Sequence, residues 1–139
     1  MSYTIISKFI KDISFEIPNP ETFVLLEKEI TKYNLNFDIK SKPFKNNIIE
    51  VNTILKLLPN KDVKHKMLTE INLTALVSFE KNIEDKKILE KIILVEVPNE
   101  VYPTLYETFK YLFSQAGIKN IRIEKEVNFE KLYNEKNKS

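Results

Sequence analysis

Few side chains in this 139-residue sequence are of the types that break bonds, and fewer still are spaced to act together. The single histidine, His65, lies in the lysine-rich run Lys61–Lys66. It leaves no His pair for a metal and no evident Ser-His-Asp set, and reads as a solvated turn residue. Cysteine is absent, which removes thiolate nucleophiles, disulfides and Cys-based zinc sites. The lone glycine, Gly117, excludes the Gly-rich loops that cradle phosphates, both the dinucleotide fingerprint and the P-loop. Glu84-Asp85 and the pair Glu124 and Glu126 are the nearest carboxylate groupings. Both sit beside lysines on surface-like segments, so they read as solvated faces and not as a general acid and base. No residue is assigned a catalytic or metal-binding role, and no cofactor is expected. The residue types point away from an enzyme.

Charge sharpens the exclusion. The chain has 22 Lys+Arg against 20 Asp+Glu, a net charge of +2, and Arg122 is its only arginine. A nucleic-acid reader would be expected to use the planar, bidentate guanidinium. Lys, Ile and Asn are all abundant and all have A/T-rich codons, so the lysine excess reads first as base composition. Positions 40–66 hold seven Lys against two acids. A module binding anionic ligands through that region is the alternative from a different class, but it lacks Arg and interleaved exposed aromatics. No nucleic-acid partner is expected. Nor is there a leader-like amino terminus or an apolar run long enough to span a membrane. The expectation is a cytoplasmic protein without direct membrane insertion.

The elements that must position any functional surface can be read from hydropathy. At 42% hydrophobic and 30% charged residues, the chain reads as a single globular domain over residues 1–139. Tyr3, Ile5, Phe9, Ile13, Phe15 and Ile17 occupy odd positions among mostly polar even ones, predicting a long strand with one buried face, ended by Pro18-Asn19-Pro20. Residues 21–33 predict a short helix with Phe23, Leu26 and Ile30 at helical spacing. Alternation predicts further strands over Leu35–Ile39, Ile49–Leu57 and Ile71–Phe79, the last two joined by a polar turn at Lys61–Lys66. Short polar connections favour an antiparallel meander. Alternation then stops, and residues 83–97 predict a helical turn or two. A helix of about four turns restarts near Asn99, carries Leu105, Phe109, Leu112, Phe113 and Ala116 on one stripe, and ends at Gly117. An extended piece over 118–126 leads to a last short helix capped by Asn128, with a fraying polar tail from Asn134. The fold class is α+β: a four-stranded antiparallel sheet with a long helix and a short C-terminal helix on one side.

This plan leaves apolar surface over. Six Tyr and nine Phe are a generous supply, and Tyr102, Tyr106, Phe109, Tyr111 and Phe113 crowd one helix. A four-stranded sheet cannot cover them all. The surplus implies self-association or a groove for other chains.

The motifs also resemble a known family. Lys11-Asp12-Ile13-Ser14-Phe15-Glu16-Ile17-Pro18-Asn19-Pro20 closely resembles the amino-terminal strand signature of the SecB protein-export chaperones. Pro98-Asn99, then Pro103 and Glu107, resemble the start of that family's long helix, and Val127-Asn128-Phe129-Glu130-Lys131-Leu132-Tyr133 resembles its entry into the final helix. The resemblance covers essentially the whole chain. It implies a homotetramer, a dimer of dimers whose sheets sandwich the long helices. It also implies ATP-independent binding of unfolded clients, with precursors handed to the SecA motor. Each client aromatic or Leu buried would contribute about 1.5–3 kcal/mol, which favours unfolded chains because folded ones have already hidden such groups. Apolar lining is expected from Phe37, Ile39, Tyr102, Tyr106 and Phe109.

For SecA, the resemblance implies Asp12 and Glu16 on the first strand. On the fourth strand it implies Phe79 by direct alignment or Glu80 with a shift of one residue. The family is markedly acidic where this chain is slightly basic, and its Gly-rich stretch after the fourth strand is replaced here by Asn82–Lys91. Some SecB-like proteins instead protect the antitoxin of a toxin–antitoxin system, and that is the alternative role within the same fold.

Overall fold

The computed structural model describes residues 3–119 and 121–137. Four antiparallel strands, β1 (Tyr3–Glu16), β2 (Tyr33–Lys45), β3 (Ile48–Pro59) and β4 (Leu68–Phe79), form one sheet in the order β1-β4-β3-β2. The expected meander therefore holds only for β2, β3 and β4. The connection after β1 carries helix α1 (Pro20–Glu29) and a 3-10 turn (Ile30–Lys32), which is long enough to return the chain at the far edge, so β1 pairs with β4. Asn19 starts α1 by accepting hydrogen bonds through Oδ1 from the Thr22 backbone N–H and hydroxyl, with Pro20 in the first turn.

Strict alternation along β1 does not survive either. Its register with β4 skips Ile6 and Lys11, two bulges that each reverse which face the next side chain occupies. Tyr3, Ile5, Ile13 and Phe15 share the helix side, across from Phe79, Val77, Ile71 and Thr69. Between the bulges the phase is inverted. Ile10, opposite Leu73, turns inward with Lys8, while Phe9, opposite Thr74, moves to the outer face and is half exposed. The inward Lys8 ammonium donates to Thr104 Oγ1 at 3.2 Å.

The core lies between the sheet and one long helical run. Helix α2 (Lys86–Lys91), capped by the Asp85 carboxylate, continues through a wider π-helical turn (Ile92–Glu96) into α3 (Val97–Gln115). The long helix does not restart at Asn99, as the Pro98-Asn99 pair suggested. Pro98 and Asn99 lie in the first turn of α3, directly after the π-helical turn, and the helix continues through them. Val97, Val101, Leu105, Phe109 and Phe113 bury themselves against Val51, Leu55, Ile71, Leu73, Ala75 and Val77. Gly117, at φ 83°, ends α3: its N–H reaches the Ser114 carbonyl, and the Ile118 N–H reaches that of Phe113.

Helix α4 (Phe129–Asn137) is capped by Asn128 as expected, through the Lys131 N–H at 2.9 Å. It extends past Asn134, where a fraying tail was expected. Lys138 and Ser139 lie outside the described residues, as does Asn120 in the extended piece. The loop 60–67 is not a wholly polar turn. Val63 and Met67 are buried beneath it, and Tyr33 Oη accepts the Met67 N–H at 2.9 Å.

Leu105 is fully buried at the centre of the helix–sheet contact. Leu105→Ala should lower stability by roughly 2–5 kcal/mol in urea unfolding followed by circular dichroism, through lost burial plus the cavity left behind.

Candidate functional site

Strand β2 is an edge strand, and the sequence carries the mark of one: Pro43 lies within it, a residue that central strands exclude. Its inward side chains Leu35, Phe37 and Ile39 are only half covered. Three cavities are linked by shared lining residues, and the first two border this edge. The first, about 480 Å³, lies among Leu35, Phe37, Ile39, Leu94, Phe129 and Tyr133. A second, about 530 Å³, lies among Ile30, Tyr33, Leu35, Leu57, Phe109 and Ile121. The third, about 430 Å³, lies between α1 and the end of α3, among Phe23, Leu26, Ile30, Gly117 and Ile118. Leu35 belongs to the first and second, and Ile30 to the second and third. Together they make one apolar trough.

Local structure explains the walls. In the π-helical turn Ile92 and Val95 point into the core, while Leu94 lines the first cavity. One residue more per turn shifts the helix face by that amount. Phe129 anchors α4 in an edge-to-face cluster, with its centroid 5.0 Å from Phe37 and 6.0 Å from Tyr102, and Phe37 5.7 Å from Tyr102. The Tyr102 hydroxyl donates to the Glu124 carbonyl, tying the segment after α3 to the helix. Half-buried Ile121 and Ile123 alternate with exposed Arg122 and Glu124 along that segment, and all four border the second cavity. Burial pushes the Tyr102 hydroxyl up to about 12, with neighbouring Tyr106 and Glu124 adding to the shift. Burial likewise raises Tyr33, against the opposing pull of its hydrogen bond from Met67.

The expected lining residues are not gathered in one place. Phe37 and Ile39 line the first cavity, and Phe109 lines the second, stacked on Phe113 at 4.3 Å. Tyr102 is buried beneath the trough. Tyr106 is half buried, with the Lys110 ammonium 5.1 Å from its ring centroid. Leu35, Leu94, Leu132 and Tyr133 were not singled out from the sequence. Leu35 was legible as the first member of the Leu35-Phe37-Ile39 alternation, and Leu132 and Tyr133 from their three- and four-residue spacing after Phe129. Nothing in the sequence marks Leu94.

The opposite sheet face is polar. Asp12 and Glu16 lie there, exposed, across from Asn72 and Leu68. Between them Ser14 faces Glu70, an acidic neighbour that sequence reading missed. Glu80 lies just beyond the other end of β4, next to Phe79, whose own side chain is buried. The lysines of this face are paired: Lys56 lies 3.5 Å from Glu70 and 3.9 Å from Asp38, Lys40 is 3.8 Å from Asp38, and Lys11 and Lys42 flank Glu50 at 3.5 and 3.9 Å. The Asn52 amide, donating at 2.7 Å, holds the Glu50 carboxyl below the usual carboxylate range, with Lys11 and Lys42 assisting.

Comparison with known proteins places this geometry in context. The family model for SecB, the preprotein translocase subunit, matches residues 1–139. A provisionally named protein-export protein SecB of Pelagibacter ubique (strain HTCC1062) is 43% identical over 135 residues, covering 97% of this chain and 96% of that one. Among solved structures, the Mycobacterium tuberculosis SecB-like chaperone Rv1957, in complex with a ChAD peptide from the HigA1 antitoxin, superposes with a TM-score of 0.66 at 14% identity. The match covers 88% of this chain and 86% of that one. It shares the four-stranded antiparallel sheet with helices. No helix among the described residues is long and apolar enough to cross a membrane.

Tyr102 links trough and stability. Its folded-state pKa lies above the ordinary value of 10.0, so the stability it confers is complete below pH 10.0 and is lost as pH rises towards about 12. Tyr102→Phe should lower stability near neutrality by about 1 kcal/mol, the usual worth of one hydrogen bond. It should also blunt the alkaline decline, read by circular dichroism across that pH window.

Proposed function

The chain belongs to the SecB family, a family of chaperones and not of enzymes, and from that membership we propose an ATP-independent holdase that keeps unfolded precursors competent for Sec export. The observation that carries this reading is the trough: three apolar cavities linked by shared lining residues, two of them along the edge strand β2. An extended client laid along that edge would hydrogen-bond through its backbone to β2. It would drop alternate apolar side chains beside Phe37, Leu35 and Ile30, without demanding a particular sequence. Of the expected lining residues, Phe37, Ile39 and Phe109 would touch client. Tyr102 and Tyr106 would shape the floor and rim.

Assembly follows from the other edge. Strand β1 ends the sheet and exposes Ile6, Phe9 and Ile13, surface that a second copy would cover. We assign the chain to a cytoplasmic homotetramer, a dimer of dimers, with the long helices between the sheets. Asp12 and Glu16 are proposed to contact SecA from the outer face. Glu80 would contribute from the far end of β4. The alternative, a chaperone dedicated to an antitoxin, has in its favour the antitoxin peptide held by the Mycobacterium tuberculosis protein of the same fold.

The holdase should suppress aggregation of a chemically unfolded protein at near-stoichiometric concentration without nucleotide, measured by light scattering. Undiminished aggregation would overturn the reading. Leu132→Asp, placing a charge in the half-exposed mouth of the first cavity, should weaken client binding about tenfold while leaving the fold intact. Asp12→Lys with Glu16→Lys should weaken SecA binding in a sedimentation or surface-binding assay and leave client binding unchanged.

A further inference from the structure

The lysines of residues 40–66 divide into two groups once folded. Of those on the sheet, Lys40, Lys42 and Lys56 are each within 4.0 Å of a carboxylate, while Lys45, at the end of β2, lies 5.3 Å from the Phe44 ring centroid. Lys61, Lys64 and Lys66 are exposed and have no ion pair among the described residues. They sit on a loop that is held in place. Val63 and Met67 are buried under it, the Asn60 N–H donates to the Lys32 carbonyl at 2.9 Å, and the Met67 N–H donates to Tyr33 Oη. Tyr33 lines the second cavity, so the loop is hydrogen-bonded to a wall of that cavity without lining it itself. Arg122 lines the same cavity.

The loop carries Lys61, Lys64 and Lys66 against one carboxylate, Asp62; the cavity it adjoins is lined by Arg122 and Glu124, and Lys32 pairs with Glu29. The third cavity has one charge of each sign, Glu27 and Lys119. The unpaired positive charge is therefore concentrated on the loop tied to the wall of the second cavity. Three ammonium groups on a pinned loop lose less freedom on meeting an anion than three on a mobile one.

We propose that the loop 61–66, with Arg122, selects unfolded segments in which an apolar anchor is flanked within a few residues by Asp or Glu. This rests on the holdase reading and names the client chemistry it prefers. The anchor occupies the second cavity and the acidic flank lies across the loop lysines. Surface attraction of this kind acts over about a Debye length and sets discrimination between clients more than total affinity.

The test uses three fluorescent peptides with one apolar centre and flanks of Glu, Gln or Lys, titrated by anisotropy. The wild-type protein should bind the Glu-flanked peptide about tenfold tighter than the Lys-flanked one at low salt, and the difference should collapse at about 0.5 M salt. Lys61→Glu, Lys64→Glu and Lys66→Glu together should abolish or invert the preference, with Gln-flanked affinity unchanged. The milder pair Lys64→Gln and Lys66→Gln should reduce it part-way. Equal affinities, a preference for the Lys flank, or a Glu preference that survives all three substitutions would overturn the proposal and leave the holdase reading standing. If no peptide binds, the holdase reading falls and takes this one with it. Binding to phosphatidylglycerol vesicles that depends on the same lysines, without discrimination among peptides, would overturn it in favour of a lipid surface.

Discussion

Everything in this molecule is arranged around one contact, the burial of the α3 stripe against the inward rows of β3 and β4. Val101, Leu105, Phe109 and Phe113 have no other surface large enough to cover them, and neither do Leu55, Ile71, Leu73 and Val77. Burial of this size dominates the folding free energy of a small domain, so the remaining elements take positions that permit it. A single helix is about 10 Å wide, whereas four strands span roughly twice that. One side of the sheet must stay thinly covered. The side left over is β2, and the trough is the space that α1, the segment after α3, and α4 enclose there without filling.

The same contact explains the odd behaviour of β1. Running beside α3, it must meet Glu100, Thr104 and Phe113 in turn: Tyr3 Oη donates to the Glu100 carboxylate at 2.8 Å, Lys8 reaches Thr104, and the Phe15 ring packs 5.2 Å from Phe113. Bulges at Ile6 and Lys11 add twist and let a long edge strand follow the helix. The consequence on the outer face is Phe9, an aromatic ring among polar neighbours at the sheet's free edge. Ile6 and Ile13 are exposed on the same edge strand.

Charge reads differently at the two levels. Along the chain, residues 40–66 form one basic block. In the sheet, period two and strand pairing set Lys56 between Asp38 and Glu70, and Lys42 beside Glu50, so most of the β-structured part of the block is neutralised. The loop between β3 and β4 and Lys45 at the end of β2 escape, because a turn or a strand end offers no cross-strand acid. Neighbours in a sheet come from distant parts of the chain, which is why a linear charge count overstated the basic face and missed Glu70 beside Asp12 and Glu16.

What the sequence determined by itself was local and repetitive. Three of the four strands were written in the alternation around Leu35-Phe37-Ile39, Ile49–Leu57 and Ile71–Phe79, the stop of α3 in Gly117, and the start of α4 in Asn128. Its motif pairs at the two ends also pointed to the correct family. Local rules suffice there because a cap or a pleat needs only its own few residues. Tertiary structure alone decided that β1 pairs with β4, that Phe9 faces out, that the helix runs unbroken through Pro98, and that Leu94 reaches Phe129's side of the trough. Each of these depends on where a long-range partner lies, and a bulge or a π-helical turn costs little locally while moving every later side chain to another face. A single His, a single Gly and no Cys point away from catalysis at the level of residue types alone. The trough, which has no residue type of its own, existed only after folding.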